Sequence, residues 1–433
     1  MIAILRRFAG VARGERSMFV LINIAVNIVF LARSYLTMQV LDYRQLGLAA
    51  LLQSIILLIG LVQFGFLNGG YRILCSASEV DARRVNNLIY ALLAGVAIAS
   101  FVVAIASLPF VSSGDARLVA ILGAAGGVVV LTRTWMMNHM IARGALKRLN
   151  EINFWSAIAS MLPLALIPVF PLTACLAAIV AQPLAFVVAV VIADRSILPT
   201  RLEVSWPLAR QVFNIGFVVF LTGIFLQVNI QIERWYITGF LGLEALGHFY
   251  LAILFITLFQ MVPNSLDQIF LPSVIRAHAA GDGASVRRGM RQFFQVETGY
   301  CLITVIALAA AAQPVTALLL PKYLPDLQYV NLVAPGLILF TLANPLAIPF
   351  NVLIQYRYYF MGYGAGSFVT ALAFLYASAS GGLMNLADVA LVRSGVYAVM
   401  AAVIVIGFFR VTKAHPDFRF HPLGALSRRR PAG

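Results

Sequence analysis

A charged side chain inside a long apolar run costs about 2.5 to 3.5 kcal/mol at a bilayer centre on insertion scales, so it marks a watery cavity or a partner. Few residues of this sequence qualify. Arg33 stands in Leu31-Ala32-Arg33-Ser34-Tyr35, on the same predicted helix as Asn23 and Asn27. Asn23, Asn27 and Ser34 lie four and seven residues apart, so they share a face, which Arg33 flanks about 100° around from Ser34. Arg133 is set between Thr132 and Thr134 in a second apolar run. An arginine fork in low dielectric is suited to phosphate oxygens, which it grips at two points. The plainer alternatives are that Arg33 extends outward to the interface and that Arg133 bonds neighbouring helix carbonyls.

Two carboxylates complete the set. Glu233 follows Gln227, Asn229 and Gln231 and precedes Arg234. Adjacent helical residues point about 100° apart, so Glu233 and Arg234 must each find another partner. A buried Glu233 suits ion coupling, and a solvated one at a loop edge does not. Asp267, in Pro263-Asn264-Ser265-Leu266-Asp267-Gln268, lies late in its run, where Pro263 can break the backbone ladder. It reads either as a cavity residue or as an inter-helix hydrogen bonder.

The elements that must position these groups are membrane spans. The 433 residues are 61% hydrophobic and 11% charged, with a mean hydropathy of +0.92, which excludes an ordinary soluble fold. Crossing about 30 Å of hydrocarbon takes about 20 apolar residues in a helix. Six such stretches fall in the first half: 19–41, 46–71, 88–110, 119–141, 152–171 and 172–193. Six more follow at 212–232, 246–274, 296–319, 330–356, 359–379 and 389–409. The expectation is therefore an all-α polytopic membrane protein of about twelve transmembrane helices.

Orientation follows from the basic residues. With the N-terminus inside, the cytoplasmic segments hold 24 of the 31 Lys and Arg, against 5 on the outer side. Both termini are thus expected in the cytoplasm. The same bias explains the net charge of +15 without nucleic acid. The N-terminal run is too long for a signal-peptide core and reads as a retained anchor. The polar link from Asp194 to Arg210 divides the chain into expected halves, 1–198 and 199–433 with its basic tail. The halves show weak internal similarity, with Leu46-Gly47 opening the second span and Leu246-Gly247 the eighth.

Cys75, Cys175 and Cys301 are dispersed, and the five histidines lack ligand spacing, so no metal site or cofactor is expected. The stretch holding Gly362, Gly364 and Gly366 opens a span and lacks the context of a nucleotide loop.

Leu46-Gly47, Gly65, Asn68-Gly69 and Arg72, with Gly242, Gly247, Tyr250, Ala252 and Pro272-Ser273, carry a resemblance to polysaccharide flippases. The pattern is similar to the Wzx-like branch of the multidrug/oligosaccharidyl-lipid/polysaccharide (MOP) exporter superfamily. The segment Leu319-Leu320-Pro321-Lys322-Tyr323 resembles a family loop but departs from its usual Phe-Gly. The resemblance implies two six-helix bundles around a central cavity, with a lateral gate from the first, second, seventh and eighth spans. It also implies a bacterial inner-membrane location and an undecaprenyl-pyrophosphate-linked oligosaccharide as substrate, bound in the membrane's lipids. A polysaccharide polymerase is an expected partner and a proton or sodium gradient an expected driving force. Arg33, Arg133, Asn23, Asn27 and Asp267 are the expected cavity residues and Glu233 the candidate coupling acid.

Two other functions compete. A multidrug or organic-cation antiporter of the same superfamily should present buried acids without opposing positive charge, whereas the first half here carries Arg33 and Arg133. A membrane enzyme of polysaccharide assembly should show a large outer loop or an acid cluster, and the outer loops are short.

Overall fold

The computed structural model describes residues 15–75, 77–111, 113–353, 355–380 and 384–419, and among these it contains helices and no strand. In chain order the helices are α1 (Glu15–Val40), α2 (Tyr43–Leu61), α3 (Phe66–Leu74), α4 (Glu79–Ser107), α5 (Gly114–Ala142), α6 (Leu146–Ala159), α7 (Pro171–Ala193) and α8 (Trp206–Tyr236). They continue as α9 (Leu243–His248), α10 (Tyr250–Ala279), α11 (Gly283–Leu319), α12 (Leu327–Ala343), α13 (Ile348–Val352), α14 (Arg357–Ala379) and α15 (Leu386–Ala414). The basic residues Arg6, Arg7, Arg13 and Arg428 to Arg430 lie outside the described residues.

Side-chain caps set several helix starts. Asp42 accepts from the Gln45 amide at 2.7 Å while the Gln45 side chain accepts from the Asp42 amide, which satisfies two orphan donors of α2. Ser78 and Ser113 cap α4 and α5, and Asn385 with Asp388 repeats the reciprocal box at α15. Pro171 opens α7, where its missing N–H leaves no bond unmade.

Nine described helical stretches are long and apolar enough to cross a membrane, and the chain is a multi-pass membrane protein. The first and seventh expected spans fall on α1 and α8, 26 and 31 residues long. The fifth differs from expectation. Its α-helix, α6, ends at Ala159, and Pro163 lies in a 3-10 turn over Leu162–Leu166 that completes the stretch. Outward-facing apolar side chains are the hydrocarbon surface: Ile98 on α4 and Ile303 on α11 are 68% and 67% exposed.

Close contacts group the chain into two compact units, Met1–Gln227 with Gly242–Gly247, and Val228–Leu241 with His248–Gly433. In the first, α5 packs against α2, α4 and α7, and α1 packs on α6. Trp135 of α5 is fully buried among Leu67, Val85, Leu88, Ile89 and Val212. Its indole N–H donates to Asn86 Oδ1 at 2.8 Å, and the Asn86 amide donates to the Ile197 carbonyl at 3.0 Å. In the second unit, α15 packs on α12 and α14, and α10 on α11 and α12, around Phe293, Phe350, Phe408 and Phe418.

Glycine permits the closest helix approaches. The expected second span is broken between α2 and α3, where Phe64 and Gly65 have φ of 45° and 87°. Gly65 is needed twice, for that left-handed turn and because a Cβ there would lie 2.7 Å from the Gly216 backbone. One turn on, a Cβ on Gly69 would overlap the Val212 carbonyl of α8. At the start of α2 the contact is reciprocal. A Cβ on Gly47 would strike the Leu243 carbonyl, and one on Gly247 the Tyr43 carbonyl.

Candidate functional site

The first unit holds the two intramembrane arginines, and both reach α7. Arg33 is 7% exposed, and its Nη1 donates to the Ala178 carbonyl at 3.0 Å. Arg133 donates from Nη2 to Asn153 Oδ1 of α6 at 2.9 Å and lies over the Phe186 ring, 5.2 Å from its centre. Ala178 and Phe186 are about 12 Å apart along α7, with Pro183 loosening the helix between them. The buried Nε of Arg133 has no hydrogen-bond acceptor. Asn27 is half-buried on α1, Ser34 is buried, and the Asn23 side chain lies outside the described residues. Arg33 therefore turns inward rather than out to the interface.

No Asp or Glu is buried among the described residues of this unit, so its interior charge is positive. The second unit buries acids and bases together: Glu233, Glu297 and Asp326 with Arg234 and Arg393.

Glu233 is 3% exposed rather than solvated at a loop edge. Its partner is Arg393 of α15, 160 positions away. Arg393 Nη2 donates to Oε1 at 3.0 Å, and Nε lies 2.8 Å from Oε2. Arg234 is buried beside this pair, within electrostatic reach of Glu233. As the sequence requires of adjacent helical residues, Glu233 pairs elsewhere, with a residue that charge counting places at an outer span end. Nearby, Asn229 accepts from the Thr370 hydroxyl at 2.6 Å, and the Tyr236 ring stacks on Phe374 at 4.5 Å.

Asp267 of α10 accepts from Asn344 Nδ2 at 2.9 Å, an inter-helix hydrogen bond. Sequence reasoning missed its neighbour. Glu297 of α11 is fully buried and lies in the electrostatic field of Asp267, with the Asn344 amide as its polar neighbour. Tyr359 and Tyr363 of α14 approach Asp267 from a third side. A further unforeseen contact joins His248 Nδ1 to Asp326 Oδ1 at 2.8 Å. No group of three or more His, Cys, Asp or Glu suited to a metal occurs among the described residues.

The link after α7 is fixed from the first unit. Asp194 accepts from the Ser196 hydroxyl at 2.7 Å and the Ser196 amide at 3.0 Å, which holds its carboxyl below the usual carboxylate range, with Arg143 and Arg148 adding to the effect.

No family model matches the sequence, and no curated protein matches it. Solved structures do match in fold. The lipid II flippase MurJ in an inward closed conformation superposes with a TM-score of 0.67 at 11% identity, over 94% of each chain. A multidrug resistance MATE family transporter of the MOP superfamily, inward-facing, gives 0.62 at 12% identity over 92% of this chain and 99% of that one. A MOP superfamily transporter from Pyrococcus furiosus gives 0.58 at 12% identity, over 93% and 97%. The chain has the polytopic helical fold of the MOP superfamily transporters.

Proposed function

We propose that the protein is a flippase that carries undecaprenyl-pyrophosphate-linked oligosaccharide units across the bacterial inner membrane for surface polysaccharide assembly. The observation that carries this reading is the positive interior of the first unit, where Arg33 and Arg133 are held in the span region without a buried acid. The Arg133 Nε, out of solvent and without an acceptor, is a donor suited to a phosphate oxygen. In this proposal two six-helix halves, 1–198 and 199–433, alternate access to a central cavity, both termini are cytoplasmic, and a polymerase receives the product. The fold likeness to a lipid II flippase supports a lipid-linked substrate.

The test is transfer of a lipid-linked oligosaccharide across proteoliposomes. Arg133→Ala should abolish transfer with the protein folded and inserted, and Arg133→Lys should restore part of it, since lysine offers a point charge rather than a fork. Arg33→Ala should also reduce transfer. Undiminished transfer in Arg133→Ala removes the assigned role. The organic-cation antiporter is the second reading, favoured by Glu297, a buried acid of the second unit whose charged neighbour is another acid, Asp267. It requires efflux of an organic cation and indifference to the arginine variants.

A further inference from the structure

At the end of the first unit where α4 begins and α5 and α7 stop, the link after α7 closes a cleft of about 740 Å³, within the range of small-molecule sites. The charged side chains lining it are three arginines and one acid: Arg83 and Glu79 from α4, Arg143 at the end of α5 and Arg195 from the link. The cleft is therefore positive at neutral pH. An exposed arginine beside an apolar helix is accounted for by membrane topology alone, with water as its partner. These three stand in a different setting. None of them makes an ion pair among the described residues, whereas Arg84, next in sequence to Arg83, pairs with Asp81 at 3.9 Å outside the cleft.

The backbones that carry the arginines are fixed. Glu79, Arg83, Asn86 and Asn87 lie at offsets of four, seven and eight along α4, so one helix face supplies them. Asn86 and Asn87 are buried and bond across to the link. The Asn86 amide donates to the Ile197 carbonyl at 3.0 Å, and Asn87 Oδ1 accepts from the Thr200 amide at 3.0 Å. On the third wall, Arg143 Nη1 donates to the Ser196 hydroxyl at 3.1 Å, which leaves most of its fork unused. Guanidinium groups gathered round one acid repel one another. A phosphate group carries up to two negative charges and three acceptor oxygens, so it relieves that repulsion and accepts from several forks at once, which a single carboxylate does less well.

We propose that this cleft binds the phosphate group of an organic ligand between Arg83, Arg143 and Arg195, supplied either by the head of an anionic phospholipid or by a soluble phosphate ester. One bound anion would tie α4, the end of α5 and the link together. The site stands apart from the flippase reading, because neither Arg33 nor Arg133 lines it.

The experiment measures binding to the full-length protein in nanodiscs. Inorganic pyrophosphate is titrated by calorimetry into phosphatidylcholine discs, and retained lipid is read by mass spectrometry after reconstitution with mixed phosphatidylcholine and phosphatidic acid. Saturable pyrophosphate binding supports a soluble ester, selective retention of phosphatidic acid supports a lipid head, and both together support the shared chemistry. In whichever format binding occurs, Arg83→Gln and Arg195→Gln should each weaken it by about tenfold, as loss of one charge-assisted hydrogen bond requires. Glu79→Gln should strengthen binding, and Arg84→Gln should leave it nearly unchanged. All four positions are exposed, so these variants keep the fold. Neither ligand bound by the intact protein, or binding unchanged in both Arg83→Gln and Arg195→Gln, overturns the proposal. So does equal weakening by Arg84→Gln, which would make the attraction a property of the basic surface and not of the cleft.

Discussion

Replacing Arg393 by Met removes a buried cation and leaves the Glu233 carboxylate behind. The two side chains are 5% and 3% exposed, with contacts of 2.8 and 3.0 Å. At an effective dielectric of about 20, unit charges about 4 Å apart attract by about 4 kcal/mol. Truncating one member of a buried pair costs about 3 to 5 kcal/mol, chiefly because the survivor stays desolvated. Arg234 lies within electrostatic reach of Glu233 and supplies part of the missing charge, so Arg393→Met should fall at the low end, about 3 kcal/mol. The double variant Glu233→Gln with Arg393→Met should be less destabilised than Arg393→Met alone, since it removes the orphaned carboxylate, although Arg234 then loses Glu233 as a neighbour. The assay is reversible denaturation in mixed detergent micelles, run as a double-mutant cycle. Equal destabilisation by the single and double variants would show that the loss is one of packing around Tyr397, whose ring lies 5.4 Å from the Arg393 guanidinium, and would refute the electrostatic argument.

Gly69→Ala should destabilise by about 1 to 3 kcal/mol, because its Cβ would overlap the Val212 carbonyl and the backbones must part. Gly95→Ala, on an open face of α4, should stabilise by up to about 1 kcal/mol through helix propensity. Thermal midpoints in one detergent compare the two. The Asp194 carboxyl, held low by Ser196, contributes order to residues 195–200 that is full above the ordinary carboxylate value and lost as pH falls through the lower folded value. Hydrogen exchange of that link, corrected for intrinsic rates, should rise on acidification in the native protein. Asp194→Asn should make it high at every pH.

The spans were legible because the bilayer imposes their length and apolar content on any sequence. Where a proline or a left-handed turn intervened, length alone misled: at Pro163 the backbone turns into a 3-10 segment, and at Phe64 and Gly65 the helix breaks where a continuous span was expected. Arg33 and Arg133 stood out as charges in apolar runs, yet their contacts on α7 depend on packing between segments more than 50 residues apart. Glu233 was visible, but Arg393 reads as an outer-end cation until the fold brings the two together. Glu297 escaped notice because it follows Arg291, Gln292 and Gln295 and looks like the wet entry to a span. The helix begins at Gly283, some 21 Å earlier at 1.5 Å per residue, which carries Glu297 deep into the bundle.

The contact between Gly47 and Gly247 has the form of an isologous interface. Each glycine covers the carbonyl four residues before the other, so one patch meets its own counterpart, as in a two-fold homodimer. Two stretches of one polypeptide, 43–47 and 243–247, supply that patch, so the symmetric crossing closes within a single chain. Because one crossing is shared by the two positions, alanine at either should separate the same pair of backbones, and alanine at both should cost less than the sum of the single changes.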